Sequence, residues 1–359
     1  MKNKLGKQTF VFPLMPRIVG AYSIVGEKEG KGPMAKWFDM ILDDDTYGEK
    51  TWEKSESKML KQTMLQALQK SGRDKENVDA VLSGDLINQI MSSTFMARDL
   101  TIPFLGLYGA CSTMTESMVF GSLLIDGGYA ANVLVGASSH YCTAERQFRM
   151  PLEHGNQRPP SAQWTATAAG SMVISAFDKG DAAMTQGKSV QTQEPNQGLK
   201  EVYITHATVG KIIDTGIKDP NQMGAAMAPA AVDTIIRHLM DTGRSPDYYD
   251  LIMTGDLGVI GRDIALDLLG GAGVDIAGIY KDCGSILYDQ KQDTHSGGSG
   301  CGCSASIYCG YVYREMRQGR IKNALLLSTG ALLSTISSQQ GESIPGIAHA
   351  VSLTTEGVN

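Results

Sequence analysis

The chain carries two copies of one pattern. Residues 68–86 read LQKSGRDKENVDAVLSGDL and residues 239–257 read LMDTGRSPDYYDLIMTGDL. At a constant offset of 171, seven of nineteen positions agree: Leu68/Leu239, Gly72/Gly243, Arg73/Arg244, Asp79/Asp250, Gly84/Gly255, Asp85/Asp256 and Leu86/Leu257. Each copy reads as an amphipathic helix stopped by a glycine suited to a left-handed cap, then a polar turn and an apolar strand ending in Gly-Asp-Leu. In the first copy the helix runs from Trp52 to Lys70, with Met59, Leu60, Met64, Leu65 and Leu68 on one face.

A second match lies further on at an offset of 191. Gly128-Tyr-Ala-Ala-Asn132 before a hydrophobic strand pairs with Gly319-Arg-Ile-Lys-Asn323 before another. The preceding helices are expected at Ser112–Ile125 and at about Ser304–Arg317. The twenty extra positions fit an insertion between Leu257 and the Gly-rich turn at 296–302. Helices alternating with apolar strands predict an α/β fold of two layered halves, 1–190 and 191–359, with mostly parallel sheets. The polar stretch 178–198 reads as the connector.

Bulk properties exclude several classes. At 359 residues the chain exceeds one compact core. Its net charge of −6 and pI near 5.6 argue against a nucleic-acid footprint. The N-terminus has no apolar signal region, and the run Ala324–Leu333 is too short to span a bilayer, so a protein made in the cytoplasm is expected. The six cysteines (Cys111, Cys142, Cys283, Cys301, Cys303, Cys309) include no C-x-x-C pair. Reduced, packed thiols are expected rather than a metal site or a disulfide framework.

Residues 102–113, Ile-Pro-Phe-Leu-Gly-Leu-Tyr-Gly-Ala-Cys-Ser-Thr, place Cys111 at a strand-to-helix turn. Free backbone N–H groups and the helix dipole there favour the thiolate, so a lowered pKa is expected. The competing reading is a small buried residue at a tight turn. His140, after the strand beginning near Val133, is expected near Cys111 at a carboxyl-end loop. Arg146 and Arg149 read as part of a loop running to about Trp164, long enough to cap a pocket. His349 interrupts an apolar C-terminal run, and Asp85 and Asn88 follow the second strand. Taken singly, the two histidines read as core residues, Asp85 as a structural cap, and the arginines as partners of Glu145 or Glu153.

A duplicated α/β chain with Gly-Ala-Cys-Ser-Thr opening the third helix resembles the thiolase superfamily of condensing enzymes. The resemblance covers nearly the whole chain and includes His295-Ser-Gly-Gly-Ser-Gly-Cys301. More narrowly, GDLINQ (84–89), GACST (109–113), SSHYCTAERQFR (138–149), MGAAMAPAA (223–231) and GGSGCGCSA (297–305) resemble the stage V sporulation protein AD family of spore-forming bacteria. That resemblance implies a binding protein for dipicolinic acid (pyridine-2,6-dicarboxylate), serving its uptake into the developing spore. It implies no cofactor, a ligand taken as dipicolinate or its calcium complex, and a homodimer. It also implies other SpoVA membrane proteins as partners, with peripheral attachment at the spore inner membrane through them. The ligand-binding candidates are Cys111, His140, Arg146, Arg149, His349, Asp85 and Asn88.

Catalytic equipment is incomplete against the thiolase pattern. Thr294-His295-Ser296 stands where thiolases have Gly-His-Pro, and Ser328-Thr329-Gly330 where they have Cys-x-Gly. Cys111 is then a vestigial nucleophile. The alternative is an acyl-CoA-dependent condensing enzyme or acyltransferase using Cys111.

Overall fold

The computed structural model describes residues 3–148, 158–176 and 198–357. The first half contains β1 (Arg17–Val25), α1 (Trp52–Ser71), β2 (Ala80–Gly84), α2 (Met91–Leu100), β3 (Phe104–Gly106), α3 (Thr113–Asp126), β4 (Asn132–Ser139), α4 (Tyr141–Phe148) and β5 (Ala168–Ser175). The second contains β6 (Val202–Thr208), α5 (Met223–Thr242), β7 (Leu251–Thr254), α6 (Gly258–Gly271), β8 (Tyr280–Asp282), α7 (Cys301–Ile307), β9 (Asn323–Ala331) and β10 (Gly346–Thr354).

Strand order is β8-β7-β9-β10-β6-β1-β5-β4-β2-β3, with short marginal strands attached. In each half four strands run the same way and the last, β5 or β10, opposes them. The halves meet through antiparallel β1 and β6, paired only at Ile18/Val202 and Arg17/Tyr203. Helix α1 covers the first sheet from outside and α5 the second, while α3 packs on β4 and β2 and also on β9 and β10. Helix α7 packs on β5, β4 and β1 of the other half. The two central helices are therefore sandwiched between sheets, which explains why α7 is buried along its whole length and α3 along most of its own.

The matched residues do matching work. Gly72 and Gly243 cap α1 and α5 at φ 66° and 65°. Asp79 Oδ2 accepts the N–H groups of Ala131 (2.7 Å) and Asn132 (3.0 Å). Asp250 Oδ2 accepts those of Lys322 (2.8 Å) and Asn323 (2.9 Å). One carboxylate in each half thus pins the turn that feeds a central strand, and the two sequence matches are two ends of one contact.

The second half departs from the first in two places. The extra residues after Leu257 build the longer α6 and a short helix at Cys283–Leu287. The central helix begins at Cys301, earlier than the sequence suggests, and passes through a π turn at Tyr308–Val312. A π turn holds one more residue than an α turn. Accordingly the offset is 190 before it (301 − 111) and 191 after it (319 − 128). Cys301 is the counterpart of Cys111, and each follows a residue of positive φ, Gly300 (97°) and Ala110 (50°).

Candidate functional site

Cys111 sits at the turn from β3 into α3, with Ser112 Oγ and Thr113 Oγ1 donating back to the carbonyls of Gly109 and Ala110, both at 2.7 Å. It is 6% exposed and lines a small cavity. Leu86, Phe148, Met223 and Leu333 give the cavity an apolar wall, and Cys111, Glu145, Thr165 and Ser299 give it polar points.

The thiol is not activated. Burial pushes its pKa well up, and the charges of Asp256 and Cys301 push it further. This overturns the lowered pKa expected from the helix N-terminus: desolvation of a closed site outweighs the dipole. Behind the thiol lies the buried Asp256, whose own carboxyl burial raises to about 6. Asp256 also accepts Gly300 N–H (2.8 Å), Ser299 Oγ (3.3 Å) and Thr329 Oγ1 (2.8 Å). Thr329 belongs to the Ser-Thr-Gly that stands in place of Cys-x-Gly, and its hydroxyl holds the acid beside Cys111.

The other sequence candidates lie elsewhere. His140 follows β4 as expected, but its Nε2 lies 2.8 Å from the Asp45 carbonyl, and its ring does not line the cavity. His349 lies within β10, opposite Ser328, and its Nδ1 accepts the Gly210 N–H at 3.2 Å. It continues the strand rather than interrupting it. Asp85 accepts the N–H groups of Ile87 (2.9 Å) and Ser93 (2.7 Å), a structural cap. Asn88 exchanges hydrogen bonds with Gln147 on α4. Arg146 lies on helix α4 rather than in a loop, and pairs with Glu53; Glu153 lies outside the described residues. Arg149 and the connector 178–197 lie outside the described residues. His295 is beside Asp293 at 3.4 Å and does not face Cys111.

Among the described residues no Lys, Arg or His lines the cavity. Its charges come from Glu145, buried and accepting Thr165 Oγ1 at 3.2 Å, and from Asp256 behind the thiol. Neither is marked by a motif. Asp256 is visible in the sequence only as the twin of Asp85, which suggests a cap. Its reach across to the other half's cysteine is a tertiary fact.

The fold is that of the thiolase-like enzymes. Human mitochondrial 3-ketoacyl-CoA thiolase superposes with a TM-score of 0.56 at 14% identity, over 96% of this chain and 99% of that one. The 3-oxoacyl-[acyl-carrier-protein] synthase III of Aquifex aeolicus VF5 superposes at 0.54 and 12% identity, over 94% and 99%. At such identities the likeness is one of fold. The Stage V sporulation protein AD of Bacillus subtilis (strain 168) is 42% identical over 346 residues, 96% of each chain. The family model for Stage V sporulation protein AD matches residues 6–354. With that match running almost end to end, the chain belongs to the Stage V sporulation protein AD family.

Proposed function

We propose that this protein binds dipicolinate in the Cys111 cavity, as the calcium complex, and serves dipicolinate uptake during sporulation without catalysing acyl transfer. The observation carrying the non-catalytic reading is the thiol's surroundings. A condensing nucleophile needs a base that takes its proton, usually a histidine. Among the described residues no histidine lines the Cys111 cavity, and the Asp256 carboxyl nearby disfavours the thiolate. Family membership supports the sporulation role.

The cavity's charge supports the calcium form. Dipicolinate alone is a dianion and would meet Glu145 and Asp256, like charges in a desolvated site. Its one-to-one calcium complex carries no net charge, and Glu145 offers an oxygen of the kind calcium prefers. The apolar wall suits the pyridine ring. Calorimetric titration with calcium dipicolinate tests this, with Glu145→Gln expected to weaken binding roughly tenfold, about the worth of one charge-assisted contact. Equal affinity in Glu145→Gln overturns the placement. Multiple-turnover thiol release from acyl-CoA, abolished in Cys111→Ala, overturns the non-catalytic reading in favour of a condensing enzyme.

The same reading extends to the assembly. Attachment at the spore inner membrane runs through other SpoVA membrane proteins, a reading compatible with the described residues, none of whose helices is long and apolar enough to cross a membrane. β3 ends the sheet, with Leu105 half exposed on it and Phe95 and Tyr108 exposed nearby. An apolar edge strand of this kind invites pairing with a second copy. A homodimer is expected by light scattering, and Leu105→Lys should make it monomeric.

A further inference from the structure

On the far side of a two-residue ribbon from the Cys111 cavity lies a cluster that the reading above does not use. The ribbon pairs Trp164–Thr165 with Gly298–Ser299. Thr165 faces the cavity, whereas the Trp164 indole is absent from its lining. Tyr141 stacks on one face of that indole, with centroids 3.7 Å apart and planes at 11°. Lys28 Nζ lies 4.0 Å from the same ring centroid and Arg158 Cζ 4.7 Å. With one face taken by Tyr141, both cations crowd the other.

The neighbouring acids do not neutralise both. Arg158 Nη2 donates to the carbonyl of Asp293 and lies 3.3 Å from its carboxylate, while its Nη1 has no partner. Asp293 is also shared with His295. Lys28 forms no ion pair with any described residue. The nearest carboxyl to it in the chain, Glu29, is buried, receives the Tyr288 hydroxyl and the Thr167 N–H (3.1 Å), and is raised to about 7. Asp293 and then Asp45 contribute weaker fields at Lys28. Burial and Arg158 together lower the Lys28 pKa. Two cations held side by side by an aromatic ring, with one exposed carboxylate between them, favour a bound oxyanion.

We propose that Lys28 and Arg158, over the face of Trp164 opposite Tyr141, form a site for a small dicarboxylate, separate from the Cys111 cavity. The guanidinium's planar fork suits a carboxylate, and the ammonium offers a second point charge for the other. The site takes the uncomplexed dianion, which the acid-lined cavity disfavours. It stands whether or not that cavity binds the calcium complex.

The test is calorimetric titration of the whole protein with dipicolinate in chelator-containing buffer, where no calcium complex forms. Binding that weakens with added salt is expected. Lys28→Gln and Arg158→Gln should each weaken it roughly tenfold, one lost charge-assisted contact. Arg158→Lys should fall between, and Cys111→Ala should leave it unchanged. Circular dichroism and melting of the variants separate lost binding from lost fold. Unchanged affinity in both folded glutamine variants overturns the site. If inorganic phosphate competes as well as dipicolinate, the dicarboxylate assignment is overturned.

Discussion

Each half of the molecule opens its central helix with a cysteine after a residue of positive φ, and each ends a strand with Gly-Asp-Leu. From there the halves part. Cys111 faces a cavity and lies in the field of Asp256 of the other half. Cys301 is fully buried, and its thiol donates to the Ser138 carbonyl at 2.8 Å. Asp256 reaches across to the opposite cysteine, whereas Asp85 turns back on the loop that follows it. The same local sequence therefore built a cavity-facing corner once and a filled corner once. What differs is the space in front of the thiol and the direction of the acid, which neighbours decide.

The largest effect comes from exchanging the small residue that frames each corner. Gly330 and Ser139 are counterparts (330 − 139 = 191). Ser139 Oγ accepts the Gly302 N–H at 3.1 Å, while a Cβ on Gly330 would lie 2.3 Å from the Gly109 carbonyl oxygen. Gly330→Ser should therefore displace the Cys111 turn and cost about 2 kcal/mol or more, the scale of overpacking. A thermal melt equal to the parent would mean that the two corners are more alike than they look.

Buried carboxyls give the comparison a pH dependence. Asp256 and Asp85 are each raised to about 6, chiefly by burial, and Asp282 to about 7 for the same reason. In the folded protein they keep protons that the unfolded chain releases near pH 4. Folding then takes up protons between about pH 4 and 7, and stability falls as pH rises through that window, by up to about 1.4 kcal/mol per group per pH unit. Urea midpoints should be higher at pH 5 than at pH 8, with the slope reduced in Asp256→Asn. A midpoint that rises over this range breaks the reading.

The turn-pinning acids should behave as twins. Asp79→Ala and Asp250→Ala each release two backbone N–H groups and should cost a similar amount, on the order of 1 kcal/mol. Unequal losses would show that the duplication is closer in sequence than in energetics.

The smallest effect is a rate. Cys142 is the only part-exposed cysteine, though burial raises it to about 11, and the other five are buried. Iodoacetamide should therefore modify Cys142 before Cys111, with mass mapping as the readout. Asp256→Asn should speed Cys111 labelling by removing a charge that opposes the thiolate, and Asp85→Asn should not.

The helices, the caps and the duplicated frame were legible because they follow from local periodicity and from glycines whose φ is fixed by position, such as Gly72 and Gly243. Of the candidates picked out in the sequence and described in the structure, Cys111 lines the cavity, and its turn is also local. His140 was picked for its place after a strand and His349 for interrupting an apolar run, yet each finds a backbone partner in a loop far away in sequence. The repeat marks Asp256 as a twin of Asp85 but not its reach to the other half, and Glu145 has no repeat partner, since a cavity wall is assembled from separate segments. The helix at Tyr141–Phe148 was read as loop because it is short and its neighbours Pro151, Pro159 and Pro160 dominate the pattern.

The π turn at Tyr308–Val312 has a consequence for how such a molecule changes over time. Adding a residue to an α-helix swings everything beyond it by about 100° around the axis. Absorbed in one wide turn, the extra residue leaves both ends of the helix facing as before. Gly310 lets this wide turn lie against the Trp37 carbonyl, 2.6 Å from where a Cβ would stand. Such a wide turn works like a slack link in a chain. Cys301 to Ile307 stays buried between the sheets on one side of it, while Glu315 holds Arg320 and Arg317 holds Glu201 on the other.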